Sequence, residues 1–147
     1  MTTATKQRKA RKMATGDLLG IASDAKTVKG EKLGIRTAIQ YLAPADVSGR
    51  NVCQFASDGC RAACLNTAGR GKFDMVQNAR IRRTNRFFDE RTEYMARLVF
   101  EIERHVREAI RDGMIPAVRL NGTSDLPWER LKCERDGITY PSIMDAF

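Results

Sequence analysis

The feature that most constrains the fold of this chain is a long amphipathic segment between two short β-type patterns. From Asp74 to Asp112, apolar side chains recur at steps of three and four residues, which is the spacing of one face of an α-helix. These positions include Met95, Leu98, Val99, Ile102, Val106 and Ile110. The segment is too long for one ordinary helix, so we expect two helices, with a break between residues 84 and 92 and a stop at Gly113.

A strand pattern lies on each side of this helical segment. Residues 35–42 alternate in polarity and end before Pro44, and residues 115–121 form a second apolar run with Pro116 at its entrance. Two strands joined by a helical crossover are normally parallel and right-handed. The sequence therefore predicts an α/β fold, a partial parallel sheet with crossover helices that resembles a fragment of a β/α barrel.

The chain has the length of one domain. Residues 1–16 are rich in Lys and Arg and poor in apolar side chains, which predicts a disordered basic arm. Residues 17–147 then form a single α/β domain. The chain stops at Pro141–Phe147, in what reads as the opening turns of a helix, so we expect a C-terminal truncation relative to a larger fold.

The charge of the chain favours polyanionic partners. The net charge is +8, which suits nucleic acid or phosphorylated ligands. No apolar run reaches membrane-spanning length, and no secretory signal follows the basic N-terminus. We therefore expect a cytoplasmic protein without a membrane partner, whose four cysteines are free thiols or metal ligands.

Three of the four cysteines, Cys53, Cys60 and Cys64, fall in one short loop after the first strand. Three thiolates with one open coordination position suit a [4Fe–4S] cluster whose fourth iron binds a substrate or cofactor. A tetrahedral zinc site would instead need a fourth ligand, Cys133 or His105, although His105 reads as a surface residue on a solvated helix face. The third alternative is three small buried residues without metal.

A second polar loop follows the second strand. Gly122 would let the backbone approach a ligand closely, and Asn121, Ser124 and Asp125 offer polar groups where the strand ends. The same residue types are ordinary turn formers, and Trp128 beyond them suits a core position as well as a stacking one. A cofactor-binding loop and a simple turn both remain open.

A third candidate site is a run of basic residues on the first predicted helix, namely Arg80, Arg82, Arg83 and Arg86. A positive helix beside the cysteine loop could bind the phosphates of a nucleic acid. The alternative is a solvated helix face, because Arg is a good helix former.

Several motifs together resemble a known family. They are Lys29-Gly-Glu, Tyr41-Leu-Ala-Pro-Ala, Ser48-Gly-Arg-Asn-Val-Cys53, Ala56-Ser-Asp-Gly-Cys60, Cys64-Leu-Asn-Thr-Ala-Gly-Arg70, Ala79-Arg-Ile, Val118-Arg-Leu-Asn-Gly-Thr-Ser-Asp125 and Trp128-Glu. The set resembles the bacteriophage "gene product 88" family. The resemblance implies a phage or prophage origin, hence a place in the host bacterial cytoplasm.

More distantly, the order of the two loops resembles the start of a radical S-adenosylmethionine barrel. That resemblance implies that Cys53, Cys60 and Cys64 hold a [4Fe–4S] cluster, with Gly122, Ser124 and Asp125 near S-adenosylmethionine. The spacing here, with six and three residues between the cysteines, differs from the Cys-x3-Cys-x2-Cys of that superfamily. Cluster binding is therefore the firmer part of the implication.

Two functional hypotheses follow. The first is a phage-encoded iron–sulfur protein, extending to a radical-type enzyme that acts on a nucleic acid or nucleotide. The second is a non-enzymatic nucleic-acid-binding phage protein whose cysteines hold structural zinc or remain free.

Overall fold

The computed structural model describes residues 16–21 and 25–147. Nearly all of the predicted basic arm, residues 1–16, thus lies outside the described residues. The helices are α1 Ala25–Glu31, α2 Asp58–Ala62, α3 Asp74–Asp89 and α4 Arg91–Arg111. The strands are β1 Leu19–Ile21, β2 Ile35–Gln40, β3 Ile115–Arg119, β4 Cys133–Arg135 and β5 Ile138–Tyr140. Short 3-10 helices cover Leu65–Thr67, Gly69–Lys72 and Trp128–Arg130.

The predicted strand–crossover–strand unit is confirmed. β2 and β3 are parallel, in a register that runs from Ile35 opposite Ile115 to Ile39 opposite Arg119. The crossover consists of α3 and α4, and the helical segment breaks at Glu90, inside the predicted interval. Pro116 lies on β3, an edge strand in the sheet order β1-β2-β3, where a missing amide donor does least harm.

The sheet is mixed, because the short strand β1 pairs antiparallel to β2. A buried carboxylate holds β1 in place: Glu101 on α4 accepts hydrogen bonds from the amides of Leu18 and Leu19 at 2.9 and 3.0 Å. Arg97 donates to the same carboxylate at 2.5 Å and so balances its charge. Among the described residues the sheet has three strands and does not close into a barrel.

The core lies between the sheet and the apolar face of α4. Phe87 of α3 packs edge-to-face against Tyr94 and Trp128, with ring centroids 5.4 and 5.5 Å apart. Trp128 is therefore a core residue, 1% exposed. No helix among the described residues is both long enough and apolar enough to cross a bilayer.

Two predictions about local structure are wrong. His105 is 1% exposed instead of lying on a solvated face. Its Nε2 lies 3.0 Å from the carbonyl oxygen of Arg36 and 3.1 Å from that of Ala117, so it bridges β2 and β3. The C-terminal residues 141–146 form bends and turns instead of a helix. They follow a separate hairpin of β4 and β5, whose turn at Asp136 and Gly137 has positive φ at both residues.

Candidate metal centre

The three clustered cysteines line one surface cavity of about 230 Å³. One wall is the segment after β2, with Pro44, Ala45 and Val47, and the other is α2 and the residues after it. The lining residues are Pro44, Ala45, Val47, Cys53, Ala56, Cys60, Arg61, Ala62, Cys64, Asn66 and Thr67. An ion pair between Arg61 and Asp46, 3.0 Å long, joins the two walls. All three clustered cysteines therefore belong to the lining of the same cavity.

Local hydrogen bonds shape the cysteine loop. The side-chain oxygen of Asn51 accepts a hydrogen bond from the Cys53 amide, with 2.8 Å between oxygen and nitrogen. This bond forms a local turn at Cys53. Ser57 caps α2, since its hydroxyl accepts the amide of Cys60 at 3.2 Å. Cys60 lies within this short helix and Cys64 two residues beyond its end, and both line the cavity.

The three thiols differ in exposure. Cys53 is buried, Cys64 is half-buried and Cys60 is exposed. They share the cavity wall without converging on a point: among the described residues, no three Cys, His, Asp or Glu side chains already form a metal-binding group. A metal centre here would therefore need rotation of the more exposed thiols of Cys60 and Cys64.

Burial raises the pKa of the Cys53 thiol above its ordinary value. The backbone of Ala45 opposes this effect with a hydrogen bond, whereas negative charge on Cys64, Asp125 or Cys60 adds to it. A bound cation would offset this effect of negative charge.

A buried network of hydrogen bonds around Asn66 supports one side of the cavity. Asn66, which lines the cavity, is 5% exposed and receives two hydrogen bonds from Arg80, to its backbone oxygen at 2.7 Å and to its side-chain oxygen at 2.5 Å. The side-chain nitrogen of Gln77 donates a hydrogen bond to the same backbone oxygen at 3.0 Å. Its side-chain oxygen accepts one from the side-chain nitrogen of Asn66 at 2.9 Å. Gly71 packs so closely against Asn66 that a Cβ there would overlap its backbone oxygen. Helix α3 thus fixes the two 3-10 helices that follow Cys64.

The guanidinium of Arg80 is buried without an acidic partner among the described residues. The side chain is 7% exposed, its Nε has no hydrogen-bond partner there, and its charge lies 5.0 Å from the centre of the Tyr41 ring. Burial lowers the pKa of Arg80, and negative charge on Cys64 raises it. The charge of Tyr41 also raises this pKa, by more than that of Cys64 does.

The β3 loop, residues 121–126, uses its polar groups internally. The side-chain oxygen of Asn121 accepts from the Ser124 hydroxyl at 2.9 Å, from the Leu126 amide at 3.1 Å and from Trp128 Nε1 at 2.9 Å. Its amide group donates to the Leu126 carbonyl at 3.1 Å. A Cβ on Gly122 would lie 2.6 Å from the backbone oxygen of Gln40, so this glycine lets the loop pack against β2.

The two polar loops contact each other, as their positions after parallel strands predict. The amide of Asp125 donates to the carbonyl of Val52 at 2.8 Å, and the hydroxyl of Thr123 donates to the carbonyl of Leu42 at 2.5 Å. The Cys53 thiol lies 3.8 Å from the carbonyl oxygen of Thr123. Four residues of this loop are predicted to bind a cofactor. Among them, the exposed Asp125 is the one whose negative charge helps to raise the pKa of the Cys53 thiol.

The four arginines predicted to bind nucleic acid do not share one exposed face. Arg80 is buried, and Arg83 donates to the carbonyls of Asp17 and Tyr41 at 3.1 and 3.3 Å. Arg86 pairs with Glu90 at 3.2 Å. Only Arg82, among the four, is exposed. Their role in nucleic-acid binding stays a prediction, and the structure gives three of them internal partners.

The cavity includes residues that the sequence did not single out. Asn66 directly follows Cys64 and Leu65, and this position is the one sequence feature that could have indicated it as a cavity residue. Arg61 stands beside Cys60, but its ion pair to Asp46 depends on the folding of the loop. Both are found only when the chain on the two sides of the cavity is brought together.

Comparison with known proteins gives one family. No curated protein and no solved structure matches the chain, so the more distant resemblance to radical S-adenosylmethionine barrels gains no support from these comparisons. The model of the family described as Gene product 88 matches residues 4–146, nearly the whole sequence. The chain therefore belongs to the bacteriophage Gene product 88 family.

Proposed function

We propose that this protein is an iron–sulfur protein in which Cys53, Cys60 and Cys64 bind a [4Fe–4S] cluster. The observation that carries the proposal is the placement of all three thiols on the wall of one surface cavity. Thiolates are the ligands that such clusters require, and three of them leave one iron free for another ligand. The exposed Asp125, whose negative charge influences the Cys53 thiol, is a polar neighbour suited to contact that ligand.

The buried Arg80 supports an anionic centre at this place. Burying a guanidinium without an acidic partner is costly, because its hydration is lost and no opposite charge replaces it. Deprotonated cysteines and a cluster of negative net charge would supply that opposite charge, since Arg80 binds Asn66, two residues after Cys64. The two hydrogen bonds from Arg80 to Asn66 would hold the guanidinium beside the cluster.

Structural zinc is less well supported than a cluster with an open position. Such a site needs a fourth protein ligand. The imidazole of His105 is engaged between β2 and β3, and the Cys133 thiol lies 3.7 Å from the carbonyl of Ser142. Neither residue lines the cavity.

An open iron position beside a cavity is also what an enzyme would need. We extend the proposal to a radical-type enzyme acting on a nucleic acid or nucleotide, in which the cluster supplies the electron chemistry and the polypeptide binds and orients the substrate. The charge of +8 supports that substrate class.

The test is to purify the protein without oxygen and to measure iron, zinc, acid-labile sulfide and the visible spectrum. We expect about four iron atoms and four sulfides per chain with a broad brown absorption. Cys60→Ser should lose the cluster, and Cys133→Ser, outside the cavity, should keep it. Stoichiometric zinc without sulfide would contradict the proposal, and so would metal content unchanged in Cys60→Ser.

A second pair of variants tests the buried charge. Arg80→Gln removes the guanidinium behind Cys64, and Arg82→Gln removes an exposed one from the same helix. We expect a lower cluster occupancy only in Arg80→Gln, with circular dichroism used to compare the folding of the two variants. Equal iron and sulfide content in both would contradict a role for Arg80.

A further inference from the structure

Large apolar side chains are exposed in the part of the sequence that carries the three clustered cysteines. Phe55 is 80% exposed and precedes the lining residue Ala56, and Leu65 is 70% exposed between Cys64 and Asn66. Phe73, at the start of α3, is 53% exposed. We define the cavity rim as these three residues with Val47 and Met75, which are exposed as well. An exposed apolar surface of this kind usually marks a place of contact with a partner.

The rim is displayed on an ordered backbone. Leu65 belongs to the 3-10 helix Leu65–Thr67, and Phe73 follows the 3-10 helix Gly69–Lys72 directly. Asn66, Gln77 and Arg80 tie these two short helices to α3 through buried hydrogen bonds. Leu65 and Phe73 are thus pre-positioned, and binding a partner there would cost little ordering of the backbone.

Positive charge accompanies these rings. Arg70 and Lys72 are exposed, and neither makes an ion pair within the part of the chain that the structure describes. Arg61 lines the cavity itself. The nearest acidic residues along the chain, Asp58 and Asp74, each lie in the first turn of a helix, where the helix dipole partly offsets their charge.

We propose that the cavity rim binds a single-stranded nucleic acid. Exposed phenylalanine rings stack on unpaired bases, and neighbouring cations hold the phosphates between them. In a duplex the base faces are covered, so a surface of rings with two free cations suits a single strand. Phe55 and Phe73 are the stacking residues, and Arg70 and Lys72 are the phosphate contacts.

This inference identifies single-stranded nucleic acid as the substrate class of the proposed enzyme. That catalytic part of the inference rests on the proposed function. Binding itself does not need the cluster, because the rings and cations belong to the polypeptide. Phe55 and Leu65 are adjacent in sequence to the cavity-lining residues Ala56 and Asn66, so a strand bound by the rim would lie near the cavity. The two proposals can therefore fail separately.

The test measures binding of labelled oligonucleotides to the full-length metal-free protein by fluorescence anisotropy. Single-stranded DNA, single-stranded RNA and a blunt DNA duplex of the same sequence are compared. We expect tighter binding of a single strand than of the duplex, and at least about a tenfold loss in the double variant Phe55→Ala with Phe73→Ala. The DNA and RNA arms identify which single strand is preferred.

Salt dependence tests the cations. The double variant Arg70→Gln with Lys72→Gln should lower the slope of log affinity against log salt by about 1.4, the amount expected for two contacts on a single strand. Matched controls lie at the opposite end of β2: Lys29→Gln with Lys32→Gln removes the same charge, and Leu33→Ala removes an exposed apolar side chain. These controls should leave single-strand affinity within about twofold of wild type.

Three outcomes would overturn the inference. They are equal affinity for duplex and single strand, an affinity insensitive to Phe55→Ala with Phe73→Ala, and an equal loss in the control variants. Self-association of the wild-type protein that disappears in the phenylalanine double variant would assign the rim to a second copy of the chain instead. The result on Cys60→Ser, which lacks the proposed cluster, should match that of the metal-free wild type.

Discussion

The two loops at the carboxyl ends of β2 and β3 have similar compositions but differ in how their functional groups are used. One loop engages them in internal hydrogen bonds, and the other places them at a cavity. Both are rich in Gly, Ser, Asp and Asn. In the β3 loop, residues 121–126, the polar atoms of Asn121 are all occupied by neighbouring groups. In the cysteine segment, residues 45–73, the three thiols face a cavity.

This difference separates a structural turn from a candidate site. A polar atom that is already hydrogen-bonded inside the protein has little capacity left for a ligand. The β3 loop packs on β2 and holds Val52, the neighbour of Cys53, through the amide of Asp125. Its role in binding a cofactor stays a prediction. In the cysteine segment, the thiol of Cys60 is exposed and that of Cys64 is half-buried. Four measurements of stability can break or sharpen this comparison.

The largest effect is expected for Asn121→Ala. The substitution removes four hydrogen bonds and leaves Trp128 Nε1, in the core, without its acceptor. We expect the free energy of unfolding to fall by about 3 kcal/mol or more, measured by urea denaturation of the metal-free protein. The matched variant in the cysteine segment, Asn51→Ala, removes one bond to the Cys53 amide and should cost about 1 kcal/mol. Equal losses would remove the distinction between the loops.

The next effect concerns glycine. In Gly122→Ala the new methyl group would lie 2.6 Å from the Gln40 backbone oxygen and 2.8 Å from side-chain carbons of Ile39 and Tyr41. Relief of this overlap must shift the loop against β2, so we expect a loss of about 1 to 3 kcal/mol. Gly59→Ala on α2 is the control, because its methyl group would meet only the Ser57 hydroxyl at 3.9 Å. It should be neutral or stabilise by up to about 1 kcal/mol.

A smaller effect depends on pH and on the strands that carry both loops. Burial lowers the pKa of His105 below its ordinary value of 6.5. The unfolded chain therefore binds a proton at a higher pH than the folded protein does. The stability that neutral His105 confers is complete above about pH 6.5 and is lost as the pH falls toward the folded pKa, by at most about 1.4 kcal/mol per pH unit.

His105 is the one histidine of the chain, so its titration can be isolated. Urea denaturation of wild type and His105→Gln across pH 5 to 8 should show the slope near pH 6 only in the wild type. A slope that persists in the variant would assign the effect to another group.

The elements that depend on local pattern could be predicted from the sequence, and those that depend on distant partners could not. The apolar spacing around Leu98 predicts α4, and alternation predicts β2. By contrast, β1 has only three residues and is held by Glu101, far along the chain. His105 reads as a surface residue because its neighbours in sequence are charged, whereas its partners are carbonyl oxygens of two strands.

The candidate site follows the same rule. Cys53, Cys60 and Cys64 are close in sequence, so their placement in the lining of one cavity could be predicted from spacing. The role of Asn121 could not, since the same residues make either a turn or a ligand-binding loop until the partners of its side chain are known. Arg80 reads as one basic residue among four, and only its bonds to Asn66 place it inside.

The smallest effect is expected for Cys60→Ser in the metal-free, reduced protein. Its thiol is exposed, so exchange of sulfur for oxygen should change the free energy of unfolding by less than about 0.5 kcal/mol. Cys133→Ser is the matched comparison, because it places a hydroxyl at a site that is 4% exposed and should cost about 1 to 2 kcal/mol. If Cys60→Ser were the more destabilising of the two without metal, the exposed thiol would have a structural role and the contrast between the loops would fail. A near-zero effect leaves Cys60 as a residue that folding does not require, in a segment whose neighbouring hydrogen bonds present it to a cavity.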